Sequence, residues 1–478
     1  MYDRMQSLSK ENLTMIHASS MKVLEQTGVV FNDTGALQLF KDNGFKIDGK
    51  KVFFNENNVL TALDTTPSSF ELQARNPKKN VFIGEDSWVY VPTYGAPFII
   101  SREGVQHPGT MHDYDSICKL VQTSEHINMN GFKHVEPSDV ITETAYLDML
   151  FSNITLCDKP FMGSTDTIKA AKDSIEMAGI VFNGQEQLKE KPVIVGLINP
   201  LSPLQFAEEM AGSILVYARH RQPIIIANMI MAGTSGPISL PGLLTLMNVE
   251  ILAGLTLAQL AGPGTPVIYG STSCPMNMQT GAATIGSPET YIINSATAQL
   301  ARYYNLPCRT GGSLTDSLIP DAQALAEGAL SLSTSVSAGA NIILHSCGMI
   351  GTYIGVNLEK WIIDEELCGM VRSMMTPMEI NEKSINLEAI TSIGAGGNYL
   401  THPSTLANCR TAFYDNNLYN KSDHFKWSAA GSKRIDEVAA DTLFKRLSEY
   451  EKPPIDPSVE TALSDFITKA KGVSRGKV

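Results

Sequence analysis

The first part of the chain alternates between helical and strand-like spacing of its apolar positions. The stretch SKENLTMIHASSMKVLEQTG begins at a capping serine and ends at Gly28, and DTGALQLFKDNG repeats this pattern in a shorter form. The next stretch, SWVYVPTYGAPFIISREGVQHPGT, alternates and is interrupted at Gly95, Pro97 and Gly104, which is typical of a β-hairpin. The pattern predicts helices and a hairpin ahead of the main domain.

Eight short strand-like runs follow, most of them before a helical stretch. They begin at Ile127, Lys159, Lys191, Gln222, Thr265, Pro307, Ala340 and Thr391. Most are roughly 30 to 45 residues apart, about what one βα unit needs, and runs that are apolar throughout suit parallel strands covered on both faces. The pattern predicts an α/β fold, a (β/α)8 TIM barrel. Residues 1–110 would form an N-terminal helical and β-hairpin elaboration, and residues 111–478 the barrel with a C-terminal helical extension.

Composition narrows the function classes. The 478 residues carry a formal net charge of −12, and an acidic chain without a basic run is a poor partner for nucleic acid or an anionic membrane. The seven cysteines contain no C-x-x-C pair, which predicts reduced thiols and neither a zinc site nor a disulfide framework. The start of the chain has no apolar signal core and no run of 18 apolar residues occurs, so we expect a cytoplasmic protein.

Active sites of such barrels lie at the carboxyl ends of the strands. Polar and aromatic residues at those ends include Tyr269, Arg309, Ser313, Asp316, His345, Asn398 and Tyr399, and the hairpin adds Tyr94. No H-E-x-x-H, G-x-S-x-G or P-loop motif occurs, and paired carboxylates for acid–base chemistry are not evident. This composition suits a pocket that positions a ligand better than one that transfers protons.

Several of these features have a simpler structural interpretation. His345 could be a core histidine that ends a strand, and Cys347 a small buried apolar residue. Asp316 could cap a helix. The GAGGN sequence at Gly394 resembles a phosphate-binding nest, but glycines at barrel ends also allow close backbone packing.

Four segments carry a family resemblance. GGSLTDSLIPDAQALAEGALSL, GAGGNYLTHPSTLANCR, YGAPFIISREGVQHPGTMHDYD and LHSCGMIGTYIGVNLEKWIIDEELCGM resemble blocks of the trimethylamine methyltransferase superfamily. The resemblance extends over almost the whole chain. It implies a TIM barrel that moves a methyl group from a methylated amine to the cob(I)alamin of a small corrinoid protein, with no metal of its own.

The resemblance also implies a substrate class. The trimethylamine branch carries a pyrrolysine in the barrel, whereas this chain contains only the twenty ordinary residues. It is therefore similar to the branch that uses quaternary amines, with glycine betaine as the first expectation and proline betaine or carnitine as alternatives. The partners would be the amine and a cognate corrinoid protein, and a homo-oligomer is expected.

The resemblance and the chemistry together assign roles to the candidates. Aromatic faces would hold the trimethylammonium head, and a cation or fixed N–H donors would hold a carboxylate. His345 is the candidate catalytic residue and is expected to contact the carboxylate end of the substrate. The substrate contacts would be Tyr94, Tyr269, Arg309, Gly312, Tyr353 and Tyr399, and the corrinoid contacts Ser313, Asp316 and Asn398.

Two other hypotheses remain open on the sequence. A betaine-binding or regulatory barrel without catalysis would show the same aromatic rim. A barrel lyase or aldolase would need a Schiff-base lysine inside a strand, and Lys133 is the rim lysine that the sequence offers.

Overall fold

The structure, a computed structural model, describes residues 4–474. Helices and small antiparallel sheets form the N-terminal part. Their bounds are α1 Lys10–Gln26, β1 Val29–Phe31, α2 Thr34–Asp42, β2 Lys46–Asp48, β3 Lys51–Phe53, α3 Glu56–Thr65, β4 Ser69–Leu72 and β5 Val81–Gly84. Ser9 caps α1 by accepting a hydrogen bond from Asn12 N, as its sequence predicts. The stacked rings of Phe31 and Phe206 join this part to the barrel.

The segment predicted as a hairpin contains a hairpin and, before it, one strand of the barrel. Its elements are β6 Val89–Tyr90, β7 Phe98–Ile100, β8 Gln106–Pro108 and α4 Met111–Thr123. β7 and β8 pair antiparallel, with Phe98 opposite Pro108, which confirms the predicted hairpin. β6 instead pairs parallel with a later strand, with Val89 opposite Ile342.

Strands and helices then follow one another through residue 375. Their bounds are α5 Ala145–Leu156, β9 Phe161–Gly163, α6 Ile168–Val181, α7 Gln185–Leu188, β10 Ile194–Ile198, β11 Gln205–Phe206, α8 Glu208–Arg219, β12 Ile224–Asn228, β13 Met231–Ala232, α9 Leu240–Ala261, β14 Val267–Ser271, β15 Cys274–Pro275, α10 Pro288–Tyr303, β16 Cys308–Gly311, α11 Ala322–Ser337, β17 Ile342–Leu344, β18 Met349–Ile350, β19 Gly355–Val356 and α12 Leu358–Met375.

Seven parallel strands form one sheet in the order β6-β17-β16-β14-β12-β10-β9. The segment 127–131 lies between its two edges. Asn128 N donates to Tyr90 O at 3.1 Å on one side, and Asn130 N donates to Pro160 O at 2.7 Å on the other. This segment therefore occupies the eighth position and closes the cylinder, and the predicted TIM barrel is confirmed.

The prediction of a strand at Thr391 is wrong. Thr391 lies in a short helix, Leu387–Ile393, and is exposed. Its expected place in the barrel is taken by β6, which comes from the first 110 residues. Those residues are thus partly inside the barrel, and the division of the chain at residue 110 stays a prediction.

Side-chain direction on the strands decides what faces the interior. Asn228 and Tyr269 point outward, since their side chains contact Glu250 and Asn248 on α9. Alternation along a strand then turns Ala227 and Gly270, which are paired in register, toward the interior. Gly270 is also paired with Arg309, so this guanidinium projects into the barrel beside two small residues.

Between residue 376 and residue 474, six helices follow the barrel. They are α13 Glu382–Ile385, α14 Leu387–Ile393, α15 Pro403–Asn408, α16 His424–Ala429, α17 Ile435–Ser448 and α18 Pro457–Ser474. Within residues 4–474, one helix, α9, is long and apolar enough to cross a membrane, but 83% of its most apolar window is buried. It packs against α1, α3 and α8 and is therefore a core helix of the fold.

Candidate functional site

Arg309 is the charged centre of the barrel mouth. Its side chain is fully buried, and Nη1 donates a hydrogen bond to Ser271 O at 2.6 Å. Nε and Nη2 have no hydrogen-bond partner among the described residues. Burial lowers the pKa of Arg309 to about 10, so the group stays cationic at neutral pH. A buried cation with two unused donors is costly to keep and is suited to binding an anion.

His345 directly follows β17 and lies close to Arg309. Its backbone N donates to Pro92 O at 2.9 Å, and its backbone is left-handed with φ +62°. Burial, and after it the Arg309 charge, hold the pKa of His345 well below its ordinary value. The imidazole is therefore neutral, and its Nδ1 is buried without a partner in the described part of the chain.

Tyr353 covers His345, with the two ring centroids 5.0 Å apart. The backbone of Tyr353 has φ +69° and that of Thr352 has φ +56°. Such conformations are strained for bulky residues and are common at functional sites. Asp316 supports this turn, since it accepts a hydrogen bond from Thr352 Oγ1 at 2.7 Å and one from Ile285 N at 2.9 Å.

Tyr94 forms another wall of the site. Its side chain is half-buried, and burial raises the pKa of Tyr94 well above its ordinary value, so the phenol stays neutral. The carboxylates of Asp166 and Glu136 and the guanidinium of Arg309 act on it electrostatically. Lys133 Nζ lies 3.0 Å from Asp166 and 3.2 Å from Glu136. This lysine is paired at the rim and does not match the buried lysine that an aldolase would need.

The structure therefore brings together Arg309, His345, Tyr353 and Tyr94. These side chains provide a fixed cation with free donors, a neutral imidazole and two phenol rings. The described residues contain no cluster of three or more His, Cys, Asp or Glu side chains that could hold a metal ion. The arrangement suits a small molecule with a carboxylate at one end and a group recognised by aromatic faces at the other.

Three predicted contacts are wrong because their groups are already used. Tyr269 points away from the mouth, and its hydroxyl donates to Asn248 Oδ1 at 2.9 Å. Gly312 N donates to Leu344 O at 2.7 Å and is not free for a substrate. Ser313 is buried beside α12, where its hydroxyl donates to Asp364 Oδ1 at 2.7 Å.

Two further predictions lose the strand end on which they rested, and the contacts themselves stay predictions. Asn398 and Tyr399 follow α14 on an exposed segment, and Asn398 Oδ1 accepts a hydrogen bond from Leu400 N in its own turn. GAGGN does not follow a barrel strand either. Asp316 does not cap a helix, because Asp321 caps α11 by accepting from Ala324 N. Asp316 holds the turn before Tyr353, and a corrinoid contact for it stays a prediction.

A buried ion pair next to the site was missed in the predictions from the sequence. Lys360 Nζ lies 2.6 Å from Asp364 Oδ2, both side chains are fully buried, and Asp364 also accepts from Gly348 N at 2.8 Å. Lys360 and Asp364 are four residues apart on α12, and this i,i+4 spacing of opposite charges could have indicated the pair. The pair joins the turn after β16 to the turn after β17, which carries His345.

His134 predicts an acid-sensitive fold. It is fully buried just after the closing segment, and burial lowers the pKa of His134 to about 3. The unfolded chain takes up this proton first, so stability present above pH ~6.5 is lost as pH falls toward the folded-state pKa. We expect a loss of about 2 kcal/mol between pH 6.5 and 5 from this residue.

The measurement is urea unfolding of the wild type and His134→Phe at the two pH values. The variant should lose less stability on acidification, and His424→Phe, at an exposed position, should behave as the wild type. Equal pH dependence of the wild type and His134→Phe would contradict the assignment.

The barrel and its mouth define a class of protein, a TIM-barrel enzyme for a small methylated or charged substrate. Comparison with known proteins agrees with this class. The sequence profile of the trimethylamine methyltransferase family (MTTB) matches residues 1–473. The chain belongs to the trimethylamine methyltransferase family.

Individual relatives cover nearly the whole chain. A glycine betaine methyltransferase of Desulfitobacterium hafniense (strain Y51) is 40% identical over 463 residues, covering 97% of this chain and 96% of the relative. The trimethylamine methyltransferase MttB of D. hafniense (strain DSM 10664 / DCB-2) is 29% identical, covering 98% and 95%. The crystal structure of the hydroxylamine complex of MtmB shares the fold, with a TM-score of 0.53, 11% identity and coverage of 95% and 90%.

Proposed function

We propose that this protein is a methyltransferase that takes a methyl group from a carboxylate-bearing quaternary amine, glycine betaine in the first place, and passes it to the cob(I)alamin of a partner corrinoid protein. The observation that carries the proposal is Arg309, a buried cation with two unused donors beside two tyrosine rings. Family membership and the 40% identical glycine betaine methyltransferase support it.

The site chemistry fits a quaternary nitrogen. Such a nitrogen leaves as a neutral amine without being protonated, so the enzyme needs no acid at the leaving group. The nearest imidazole, His345, is neutral because its pKa is lowered, and the phenols of Tyr94 and Tyr353 have raised pKa values. These groups can orient the substrate and exclude water, which is the protein's main task here.

Substrate orientation follows from the two ends of the site. Arg309 Nε and Nη2, with the neutral His345 ring, would bind the carboxylate. Tyr94 and Tyr353 would contact the trimethylammonium head, at about 0.5–2 kcal/mol for each aromatic face. The polar atoms without a partner among the described residues, Arg309 Nε and Nη2 and His345 Nδ1, fit an amine substrate with a carboxylate rather than a corrin ring. Cob(I)alamin supplies the nucleophile that accepts the methyl group. It would therefore enter bound to its partner protein.

The test is a substrate panel with chemically reduced cobalamin, followed by the absorption spectrum of methylcobalamin. Glycine betaine, proline betaine and carnitine carry a carboxylate, choline is a quaternary amine without one, and trimethylamine is not quaternary. Methyl transfer from glycine betaine well above that from choline and trimethylamine is expected. Preference for choline or trimethylamine contradicts the carboxylate role, and binding of betaine without methyl transfer identifies a binding barrel.

The mouth also offers a surface for the corrinoid protein. Leu201, Met229 and Leu318 follow three different barrel strands and are exposed. Exposed apolar residues around a buried site indicate where a partner docks, and this partner must reach the methyl group through the mouth. We infer that these side chains contact the corrinoid protein.

Met229→Glu is expected to lower kcat/KM for the corrinoid protein by about tenfold, the effect of roughly 1.4 kcal/mol lost from an interface contact. The rate with free cob(I)alamin should not change. The control is Met15→Glu on α1, since Met15 is 68% exposed and Met229 is 54% exposed. Equal loss with free cob(I)alamin, or no loss with the protein, would remove Met229 from the docking surface.

A further inference from the structure

Residues 377–413 form an arm that packs poorly on its own chain. The arm leaves the end of α12 and contains α13, α14 and α15. Within it, Ala389 is the one fully buried residue. The residue after the arm, Tyr414, returns to the barrel, where its hydroxyl donates to Glu366 Oε1 on α12 at 2.7 Å.

The surface of the arm is unusually apolar. Its exposed large apolar side chains are Met378, Ile380, Ile385, Leu387, Ile390, Tyr399, Leu400, Leu406 and Phe413. The sequence 389–409, AITSIGAGGNYLTHPSTLANC, contains no Asp, Glu, Lys or Arg, although the chain has a net charge of −12. Depletion of charge and enrichment of large apolar side chains are the marks of an interface core.

Ordering such a segment alone is unfavourable. Fixing the backbone costs roughly 1–2 kcal/mol per residue, and the arm buries little of its own apolar surface in return. If each of its nine exposed apolar side chains offers about 100 Å², the arm presents about 900 Å². A stable interface of standard size buries about 800 Å² on each partner, so one further protein surface would be enough to cover the arm.

The position of the arm separates it from the mouth. α12 starts after the turns that carry His345 and Tyr353 and runs down the barrel to Met375. There Met375 lines a cavity with Trp88 and Val336, which precede the first residues of β6 and β17. The arm therefore begins at the amino ends of the strands, opposite the face where a corrinoid protein must enter.

We propose that the arm 377–413 is the interface between copies of this chain. A second copy is the occupant that suits a surface too apolar to stay in water, because it is present whenever the chain is. Obligate interfaces between identical chains are also more apolar than transient ones. This role accounts for the GAGGNYLTHPSTLANC stretch, which the substrate site does not use.

The test is the mass in solution, by light scattering after size exclusion at micromolar concentration. The wild type is expected at two or more times the chain mass of 51.9 kDa. Phe413→Asp and Leu400→Asp, on the arm, should shift the protein to the monomer mass. The matched control is Phe444→Asp on α17, since Phe413 is 85% exposed and Phe444 is 77% exposed.

Each outcome decides the proposal. A monomeric wild type overturns it, as does an unchanged mass in both arm variants or an equal shift in Phe444→Asp. Hydrogen exchange provides a second measurement on the wild type: arm amides should lose protection on dilution below the dissociation constant, while barrel amides keep theirs. Equal arm protection in oligomer and monomer also overturns it. The test does not use activity with free cob(I)alamin and glycine betaine. The interface proposal therefore fails or succeeds separately from the proposed function.

Discussion

Replacing Arg309 with glutamine is expected to lower kcat/KM for glycine betaine by about 30-fold or more. Removing one partner of a buried, hydrogen-bonded charge pair costs about 2–5 kcal/mol, and each 1.36 kcal/mol is a factor of ten. Arg309 is the cation that projects into the barrel mouth, and Nε and Nη2 are its unused donors. Without it, a substrate carboxylate would be buried with no compensating charge.

A substrate without a carboxylate provides the internal control. Any methyl transfer from choline should fall little in Arg309→Gln, so the ratio of glycine betaine to choline activity should collapse. Arg309→Lys keeps the charge but loses the planar donor fork, and is expected to recover part of the glycine betaine activity. An equal loss on both substrates would show that Arg309 supports the site without binding the carboxylate. Thermal unfolding of each variant checks that the barrel is intact.

His345 should show a smaller and different effect in the same assays. A neutral imidazole contributes a weaker hydrogen bond than a guanidinium, about 0.5–1.5 kcal/mol. His345→Ala is therefore expected to raise KM for glycine betaine several-fold while the fold stays intact. Unchanged kinetics would return His345 to the role of a core histidine.

The barrel could be predicted because most of its strands are marked locally. Apolar runs such as the one at Gln222 are continuous, bounded and followed by helical spacing, which is what a strand buried on both faces requires. The strand at Val89 has only two residues and lies in a segment that reads as a hairpin. Its place in the barrel depends on pairing with Ile342, more than 250 residues away, and local spacing carries no information about such a pairing.

The sequence could predict the site residues that lie on or just after barrel strands, because those strands are recognisable. Arg309 lies on β16 and His345 directly follows the adjacent strand β17, and the two side chains lie close together. Tyr269 failed because side chains alternate between the two faces of a strand, and an error of one residue reverses the direction. The placement of Tyr399 at a strand end was wrong because its segment is not a strand. The left-handed backbone of Tyr353 is a consequence of tertiary contacts and has no signature in the sequence.

Replacing Lys360 with methionine is expected to destabilise the fold by about 3–5 kcal/mol, the cost of breaking a buried ion pair from one side. Lys360 Nζ donates to Asp364 Oδ2 and to Ser313 O, at 2.6 and 3.1 Å. The variant leaves the Asp364 carboxylate buried without its cation. The measurement is the free energy of unfolding from urea titration at pH 7.

The double variant Lys360→Met, Asp364→Leu separates the pair from its parts. Because it removes both charges, it should be clearly more stable than Lys360→Met alone. The matched control is Lys169→Met, which breaks an i,i+4 pair with Asp173 at 2.6 Å whose lysine is 52% exposed, and it should cost no more than about 1 kcal/mol.

The sign of the pH dependence gives an independent check on Lys360→Met. Burial raises the pKa of Asp364 even with Lys360 present, and loss of the cation must raise it further. A carboxyl whose folded-state pKa is raised contributes stability that is present below its unfolded-state pKa and is lost as pH rises through the folded-state pKa. The deficit of Lys360→Met relative to the wild type should therefore shrink as pH is lowered from 8 toward 5. A deficit that stays constant over this range would mean that Asp364 is compensated by Gly348 N and Ser313 alone, and that the lysine contributes packing rather than charge.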